Sequence, residues 1–328
     1  MPELPIPPLG HVIWLAGPLP DLAWLAVKMA LDVGHLQRIV LWSLPGKLQR
    51  DGRVAALLAT DKVVLGDLSE LGDGDLDQAT TPGTRARLLQ LDNSLQLPAA
   101  RADLARLRVL WAHGGLYLDA DALTLANLNA LRIHQGFCGL ERVALPAELY
   151  QSKNPLRWAK AGALLAARHV LAQNAGAGAR FRLLEGHFAL ACNNAVLGAK
   201  PRHPFVAGLL QRVAAMDDAK AQQLYELGPR LLEAATDNRS QPDWQVLPPE
   251  LCYPLAPEVC ADYIHTDPQG KLGITPHPQA VVAHLYDSVL ARRIGKRPDL
   301  AWLLGHRHTT LLGRMVAPWL NELESLYE

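Results

Sequence analysis

The stretch LPAARADLARLRVLWAHGGLYLDAD (97–121) has the pattern of a helix, a glycine turn and a short buried strand. Pro98 suits the first turn of a helix, where its missing N–H costs nothing, and Gly114 or Gly115 suits the C-terminal end. At about 100° per residue the large apolar side chains share one face, namely Leu104, Leu107, Leu110 and Trp111. The spacing therefore predicts a core-facing helix over 97–115 that leads directly into a strand.

The charged residues of this helix fall into two groups. Arg101 and Arg108 lie on the face opposite the apolar stripe, where solvent is expected. Asp103 and Arg106 are three residues apart along the edge of that stripe, so they can pair with each other. The pair is either a salt bridge on the helix surface, which is the commoner case, or a partly buried pair that contacts a ligand.

The strand LYLDAD (116–121) ends in two acidic residues. Period-two alternation places Tyr117, Asp119 and Asp121 on one side of it. Two carboxylates held together disfavour each other's ionisation, and a divalent cation between them removes that cost. Mg²⁺ and Mn²⁺ prefer hard oxygen ligands together with substrate phosphates. Because ligands of open α/β sheets bind beyond the carboxyl ends of the strands, we expect Mn²⁺ or Mg²⁺ on Asp119 and Asp121.

The segments before this stretch alternate between strand and helix patterns. Apolar runs at 11–17, 38–44 and 62–68 are typical of buried strands, and 19–34 has helical spacing. This alternation favours a Rossmann-like α/β layer. The later predictions are helices at 154–173 and 203–216, a Gly/Ala loop at 175–186, strand and turn at 187–200, short strands at best in 236–280, and helical packing at the C-terminus.

Composition excludes several classes of protein. The 328 residues are 49% hydrophobic and 20% charged, so the chain can bury a large core and is not a disordered chain. Lys+Arg and Asp+Glu both number 32, so no net positive field draws the chain to nucleic acid or to an anionic membrane. We therefore expect no nucleic-acid partner, and any anionic ligand must be met by local groups.

Other features bear on the compartment. The four cysteines lack the spacing of a metal site and are typical of buried, reduced thiols. The N-terminus lacks the pattern of a signal peptide, and no apolar run reaches the roughly 20 residues of a membrane helix. We expect a protein of the bacterial cytoplasm without an integral membrane segment. Peripheral membrane contact and the oligomeric state stay open.

The stretch 97–121 resembles the DXD glycosyltransferases of the sugar-binding-region class. This class includes capsular polysaccharide and mannosyl transferases and the catalytic domains of clostridial glucosylating toxins. Their pattern is roughly S-D-x-x-R-x-x-x-L-x-x-x-G-G-x-Y-x-D-x-D, and it is matched here without a gap. The matching residues are Asp103, Arg106, Leu110, Gly114, Gly115, Tyr117, Asp119 and Asp121. Weaker similarities at 11–20, 193–206, 227–232 and 281–290 extend the resemblance over most of residues 10–290, with an expected insertion around 145–185.

The resemblance implies a fold and an activity. The fold is a single GT-A type domain over 1–328, an α/β architecture in which a Rossmann-like central mixed sheet is flanked by helices and carries helical insertions. Residues of about 10–140 would form the nucleotide-sugar half and about 141–328 the acceptor half. The activity is metal-dependent transfer of a sugar from a nucleotide-sugar donor, foremost a UDP-sugar, to a glycan, glycoside or protein hydroxyl. The resemblance also implies that the anomeric configuration is retained and that the protein has a role such as polysaccharide biosynthesis.

The resemblance also assigns roles to single residues. Trp14 stands where an indole stacks on the uracil of the donor, and Asp103, Arg106 and Asp121 form the catalytic set. The implied donor-binding residues are Trp14, Asp103, Arg106, Tyr117, Asp119, Asn194 and Ser288. The implied ligands of Mn²⁺ or Mg²⁺ are Asp119, Asp121 and His284.

Several assignments have a plain structural alternative. A tryptophan such as Trp14 is more often a core aromatic, and only the resemblance favours stacking. His284 is either a third metal ligand or the cap of a loop. The pair Asn193–Asn194 either orients the sugar or forms a turn, with the turn favoured. Asp287 and Ser288 either complete the metal or phosphate shell or cap a helix.

The chain departs from the family pattern at five positions. Ala102 replaces a serine or threonine, His113 replaces an aromatic residue before the glycine pair, and Leu227 replaces a threonine. Leu290 stands in place of a terminal tryptophan, and Tyr286 stands where a tryptophan is frequent. These changes spare the metal residues and bear on the acceptor side and on the groups that cover the sugar.

Two other functions compete with the transferase. Phosphatases of the haloacid-dehalogenase type also end a strand in D-x-D, where the first aspartate attacks phosphorus. They need threonine or valine two residues after the second aspartate and an early strand, whereas this chain has Leu123 and a late one. The second competing function is that of a catalytically degenerate protein, which binds nucleotide sugars as a scaffold.

Overall fold

The computed structural model of this chain describes residues 3–144, 149, 152–171, 182–267 and 277–327. The strands in these ranges are β1 (Leu9–Ile13), β2 (Arg38–Ser43), β3 (Val63–Asp67), β4 (Gly115–Leu118), β5 (Ala122–Thr124), β6 (Gly136–Val143), β7 (Ala189–Ala199), β8 (Gln245–Leu247) and β9 (Val282–His284).

Helices occupy most of the remaining described residues. They are α1 (Asp21–Asp32), α2 (Gly52–Leu58), α3 (Leu76–Ala79), α4 (Thr84–Ser94), α5 (Pro98–His113), α6 (Asn129–Arg132), α7 (Pro155–Leu171), α8 (Pro204–Ala214), α9 (Asp218–Ala221), α10 (Pro229–Thr236), α11 (Pro249–Cys252), α12 (Asp287–Ile294), α13 (Leu300–Gly305), α14 (Leu311–Val316) and α15 (Leu320–Glu324). Short 3₁₀ turns lie at Leu68–Glu70, Arg182–His187, Cys260–Tyr263 and Ala317–Trp319.

A mixed seven-stranded sheet with the order β3-β2-β1-β4-β7-β6-β8 forms the centre of the molecule. β1 to β4 run parallel, β7 is antiparallel to both β4 and β6, and β8 is parallel to β6. A separate two-stranded sheet pairs β5 with β9. The predicted α/β class with a central mixed sheet flanked by helices is confirmed.

Hydrophobic clusters cover both faces of the large sheet. Alternation along β1 sends Val12 into one cluster and Ile13 into the other. The first cluster contains the buried face of α1, including Trp24, and the second contains the stripe of α5, including Leu104 and Trp111. Burial on both faces explains why the parallel strands are apolar almost without interruption.

Most predicted elements are confirmed, but three strand predictions differ from the structure. The strand expected at 11–17 begins earlier and ends at Ile13, and the strand expected at 116–121 ends at Leu118. The second ends early because the Ala122 N–H donates to the Asp119 carbonyl at 2.9 Å in a tight turn. The strand and turn expected at 187–200 form one long strand, β7. The Gly/Ala loop expected at 175–186 lies mostly outside the described residues.

Two predictions about side chains have opposite outcomes. All four cysteines are buried and free of disulfides, as the sequence predicts. The expectation that Arg108 faces solvent is wrong, because its side chain is only 3% exposed. Its Nε lies 2.6 Å from Asp73 Oδ2, and Asp73 is buried as well. α5 is therefore covered on its second face too, and the buried guanidinium is balanced by a carboxylate.

None of the described helices combines the length and the apolar character that a crossing of the bilayer requires.

The Asp73–Arg108 pair leads to a stability prediction. Asp73→Ala leaves the Arg108 guanidinium buried without a carboxylate, so we expect the free energy of unfolding to fall by about 3–5 kcal/mol. Burial raises the pKa of Asp73, but Arg108 and Arg85 outweigh it and hold the pKa below its usual range. The stabilisation is thus present near neutral pH and lost as the pH falls through that lowered pKa. Urea denaturation at pH 7 and at acidic pH measures both effects.

The matched control is Glu322→Ala, which removes a half-exposed carboxylate 3.0 Å from Lys28. Lys28 keeps a second carboxylate in this variant, because Asp32 Oδ2 lies 3.7 Å from its Nζ, so we expect a loss of only about 0–1 kcal/mol. Equal, small losses in the two variants would contradict the account.

Candidate active site

The candidate site is a cavity at the carboxyl ends of β1 and β4. β1 pairs with β2 on one side and with β4 on the other, so the two strands meet where the strand order reverses. Open α/β sheets bind ligands at such switch points. Trp14 follows β1 and Asp119 follows β4, and both line the cavity.

Two glycines allow β4 to start beside β1. Gly114 and Gly115 have φ angles of 64° and 96°, which other residues rarely adopt. A Cβ on Gly115 would also lie against the Leu9 carbonyl and 3.0 Å from His11 Nε2. Burial lowers the pKa of His11 to about 3, so its ring is neutral, and Nε2 lies 2.7 Å from the Gly114 carbonyl oxygen. His113 packs its ring 6.0 Å from that of His11, which keeps an aromatic contact before the glycine pair.

Asp119, Asp121 and His284 meet at the end of β4. One ligand atom from each of them lies within 4.8 Å of the others. His284 Nε2 is 3.3 Å from Asp121 Oδ1 and 3.9 Å from Asp119 Oδ2. His284 is the last residue of β9, and the pairing of β9 with β5 places it opposite Ala122. Of the two readings of His284, the structure favours the metal ligand over the loop cap.

The electrostatics of this cluster favour a cation. Burial and the neighbouring Asp121 raise the pKa of Asp119, although Arg106 lowers it. Burial alone would raise the pKa of Asp121, but His284 and the Asp287 N–H lower it. Burial alone would lower the pKa of His284, but Asp121 and Asp119 raise it. Two carboxylates and one imidazole form a donor set that suits Mn²⁺ and is compatible with Mg²⁺.

A buried ion pair lies beside this cluster. Arg106 Nη2 is 3.1 Å from Asp103 Oδ1, and the two residues are only 5% and 7% exposed. Arg106 Nη1 donates to the Asn194 carbonyl at 2.6 Å and lies 3.4 Å from Asp119 Oδ1. Asn194 Nδ2 donates to Asp103 Oδ1 at 2.8 Å. The surface salt bridge, the commoner expectation for this pair, is therefore wrong, and the partly buried pair at a cavity is correct.

The protonation states of this pair follow from its surroundings. Burial alone would lower the pKa of Arg106, but Asp119, Tyr117 and Asp103 raise it, so the guanidinium stays charged. Burial raises the pKa of Asp103, while Arg106 and Asn194 lower it. The arginine thus holds the carboxylate in place without being neutralised.

Tyr117 positions two of these groups. Its hydroxyl donates to Asp119 Oδ1 at 2.5 Å, and the Arg106 guanidinium lies 4.4 Å from its ring centre. Its side chain is almost fully buried and borders the cavity. Trp14 borders the cavity too, and its indole Nε1 is buried without a hydrogen-bond partner among the described residues.

The remaining predicted residues lie on β7 and α12. The turn expected at Asn193–Asn194 is wrong, because both residues lie within β7, at a point where its pairing with β6 shifts register. The N-cap expected at Asp287 or Ser288 is also wrong, since Tyr286 is the capping residue and both side chains border the cavity. Asp121 takes the place of a capping side chain, because its Oδ2 accepts the Asp287 N–H at 2.7 Å.

Gly228 lies directly against Asp103 and Asn194 of the buried arrangement. A Cβ at this position would lie 2.7 Å from Asp103 Oδ2 and closer still to Asn194 Nδ2. The loop before α10 can therefore approach the pair only with glycine at this position. The neighbouring Leu227, which replaces the threonine of the family pattern, is buried in the core and does not border the cavity.

The sequence did not single out Glu141 or Arg297, which both border the cavity. Glu141 Oε2 accepts a hydrogen bond from the Tyr286 hydroxyl at 2.8 Å. The Tyr286 ring in turn lies 4.3 Å from that of His284. Leu290 is fully buried, so it cannot cover a sugar as the tryptophan of the family pattern would. No motif marks Glu141 or Arg297, and only the folded sheet brings them to the site.

A metal-binding prediction follows from the cluster. Asp121→Ala removes one of its three donors, and we expect the affinity for Mn²⁺ to fall by at least about 100-fold. Titration of Mn²⁺ followed by electron paramagnetic resonance measures free and bound ion. Glu324→Ala, which removes an exposed carboxylate that does not border the cavity, should bind as the native protein does. Equal binding by both variants would contradict the assignment.

The close approach of Gly228 leads to a second prediction. Gly228→Ala forces the loop away from Asp103 and Asn194, and we expect a loss of about 1–3 kcal/mol in the free energy of unfolding. Gly162→Ala is the control, since a Cβ on Gly162 meets nothing within 4 Å. Urea denaturation of both variants is the measurement. A Gly228→Ala variant as stable as the control would show that the loop is not held against the pair.

Comparison with known proteins finds a family model that matches part of the chain. Residues 54–138 match the model of the glycosyltransferase sugar-binding region containing the DXD motif. The PaToxG glycosyltransferase is 15% identical, with 70% of this chain and 67% of that chain covered and a TM-score of 0.42. The UDP-bound glycosyltransferase domain of the YGT toxin is 13% identical, with 64% and 62% covered and a TM-score of 0.34.

A third solved structure is the galactosyltransferase LgtC in complex with donor and acceptor sugar analogs. It is 14% identical, with 84% of this chain and 87% of that chain covered and a TM-score of 0.36. The chain spans about two thirds of the length of the two toxin structures. None of the curated proteins compared with the chain matches it. The matched residues 54–138 include α5, β4 and both aspartates of the cluster, so the similarity to the glycosyltransferase sugar-binding region covers the part of the chain that carries the DXD motif.

Proposed function

We propose that this chain is a metal-dependent hexosyltransferase that uses a nucleotide-sugar donor, foremost a UDP-sugar, and a hydroxyl-bearing acceptor. One observation supports this most strongly. Asp119, Asp121 and His284 form a cation-binding cluster in the same cavity as the buried Asp103–Arg106 pair. The first group suits a diphosphate with its metal, and the second suits the hydroxyl groups of a sugar.

The donor would lie along the switch point of the sheet. We propose that the base stacks on Trp14 and that the diphosphate reaches Asp119, Asp121 and His284. Trp14 supports a ligand there because its side chain is only partly buried and borders the cavity, which leaves apolar ring surface for a base. Ser288, at the start of α12, borders the same space and can donate to a phosphate oxygen. We infer a nucleotide-sugar half over about 10–140 and an acceptor half over about 141–328 of one domain.

The sugar would lie over the buried pair. Asp103 accepts hydrogen bonds from hydroxyl groups, and Arg106 holds it in place through the contact at 3.1 Å. Asn194 fixes the other side of this arrangement by donating to Asp103. Because these side chains are held by one another, the sugar meets a preorganised surface. Mn²⁺ or Mg²⁺ on Asp119, Asp121 and His284 would supply a Lewis acid for the negative charge that grows on the leaving diphosphate.

The acceptor would bind in the same cavity. Glu141, Tyr225 and Glu233 also border this cavity and offer polar groups to a hydroxyl-bearing acceptor. The resemblance to retaining transferases supports retention of configuration. Nuclear magnetic resonance of the first product formed from an α-linked donor distinguishes retention from inversion.

The competing functions fit the geometry less well. A phosphatase needs its first aspartate free to attack phosphorus, whereas Asp119 Oδ1 accepts the Tyr117 hydroxyl and lies 3.4 Å from Arg106. A degenerate scaffold is suggested by the changes at Ala102, Leu227 and Leu290. Leu227 and Leu290 are buried in the core, and Ala102 borders the cavity, so the changes spare the metal cluster and the Asp103–Arg106 pair.

A donor assay tests the proposal. The protein is incubated with Mn²⁺ and a panel of UDP- and GDP-sugars, and release of UDP or GDP is measured with and without simple glycoside acceptors. We expect release from at least one donor, and Asp121→Ala should reduce it by at least about 100-fold because the charge on the leaving group is no longer balanced. Glu324→Ala serves again as the matched control.

Two outcomes would contradict the proposal. Release of phosphate from simple phosphate esters, lost in Asp119→Ala, would identify a phosphatase. Thermal stabilisation by UDP without turnover of any donor, on a broad panel of glycan, glycoside and peptide acceptors, would identify a binding protein.

A further inference from the structure

Two arginines of the C-terminal segment border the cavity next to the metal cluster. Arg292 lies on α12 and Arg297 follows it, while Arg293 does not border the cavity. Arg297 is about half exposed, and its Nε lies 2.7 Å from Asp287 Oδ2. Within the described part of the chain, no carboxylate lies within 4.0 Å of a nitrogen of Arg292. Neither arginine is explained by the packing of the core.

Arg297 lies between the two ends of the proposed donor site. Its guanidinium carbon is 5.5 Å from the centre of the Trp14 ring. On its other side it holds Asp287, whose N–H donates to Asp121 Oδ2 at 2.7 Å. The guanidinium therefore lies between the indole that would hold the base and the aspartate that would hold the metal. A ligand whose base stacks on Trp14 and whose diphosphate lies near Asp121 would therefore extend along the Arg297 guanidinium.

A nucleotide diphosphate bound in this cavity would require a further positive charge. Arg106 is balanced by Asp103, and the carboxylates of Asp119 and Asp121 balance a divalent ion. The negative charge of a nucleotide diphosphate, which increases when the sugar leaves, then depends on the other cavity arginines, and of Arg292 and Arg297 only Arg297 is held beside Trp14. A guanidinium offers five N–H donors in a planar fork, so it can keep Asp287 on Nε and still present its terminal nitrogens to phosphate oxygens.

We propose that Arg297 is a diphosphate-binding residue that recognises the nucleotide diphosphate beside Trp14, with Asp287 holding its side chain in position. The inference rests on the proposed function, because it assumes a nucleotide-sugar donor. It adds a recognition element outside the DXD region, contributed by the segment after α12. It also gives Asp287 a role, since its Oδ2 holds the Arg297 side chain at 2.7 Å.

A series of ligands with none, one and two phosphates tests this role. Binding of uridine, UMP and UDP is measured in the presence of Mn²⁺, with calorimetry for UDP and UMP and competition for uridine. Arg297→Met keeps the apolar stem and removes the charge. We expect it to weaken UDP about 10-fold and UMP about 3-fold and to leave uridine unchanged, because only phosphates gain from the guanidinium. Arg297→Lys should restore part of the UDP affinity.

The matched control is Arg293→Met, which removes the same charge from the same segment but outside the cavity. It should bind all three ligands as the native protein does, and thermal unfolding of both variants checks that they are folded. The UDP affinity of the native protein should also fall more steeply with salt than that of Arg297→Met.

The outcomes separate this inference from the proposed function. Native binding of UDP that is unchanged in Arg297→Met would overturn the role of Arg297 and leave the donor assignment intact. Equal weakening of uridine and UDP would show that Arg297 only shapes the wall around Trp14, and would also overturn it. No binding of UDP or GDP by the native protein would overturn the proposed donor and this inference together.

Discussion

The buried guanidinium of Arg106 is the constraint on which the site depends. A charge that is 5% exposed is costly unless every side of it is compensated. Here the compensation comes from Asp103 on the same helix, from the Asn194 carbonyl on β7 and from Asp119 after β4. These contacts hold α5, β4 and β7 at fixed distances from one another. One side chain, Arg106, therefore positions both Asp103, which would face the sugar, and Asp119, which would face the metal.

Carboxylates and arginines both border the cavity, and the negative charge is concentrated where Asp119 and Asp121 lie side by side. Burial and Asp121 raise the pKa of Asp119, which shows how unfavourable two carboxylates are without an ion between them. The arginines near them are mostly balanced already, since Arg106 pairs with Asp103 and Arg297 with Asp287. A metal with its diphosphate would complete this arrangement, which is why the proposed donor and the proposed role of Arg297 follow from the same distribution of charge.

The wrong predictions show where local rules stop. A helical wheel assumes one covered face, so it placed Arg108 in solvent, whereas the segment after β3 brings Asp73 against that face. Amide side chains favour turns, so Asn193–Asn194 was expected to form one, but both residues continue one long strand that pairs with β6 up to Asn193 and with β4 from Val196 onward. The strand before Asp119 was expected to continue, and instead a turn gathers the two carboxylates. In each case tertiary contacts outweighed a local preference.

The sequence by itself determined the helix of residues 98–113, the glycine turn, the parallel strands and the grouping of Asp103, Arg106, Asp119 and Asp121. These features depend on periodicity and on contacts within a few residues, which a linear pattern records. Only the tertiary structure decided that His284 joins the aspartates, that Gly228 lies against Asp103 and that Arg297 lies beside Trp14. These groups meet because β5 pairs with β9 and because the C-terminal segment packs against the open ends of β1 and β4, and such long-range pairing leaves no spacing in the sequence from which it could be read.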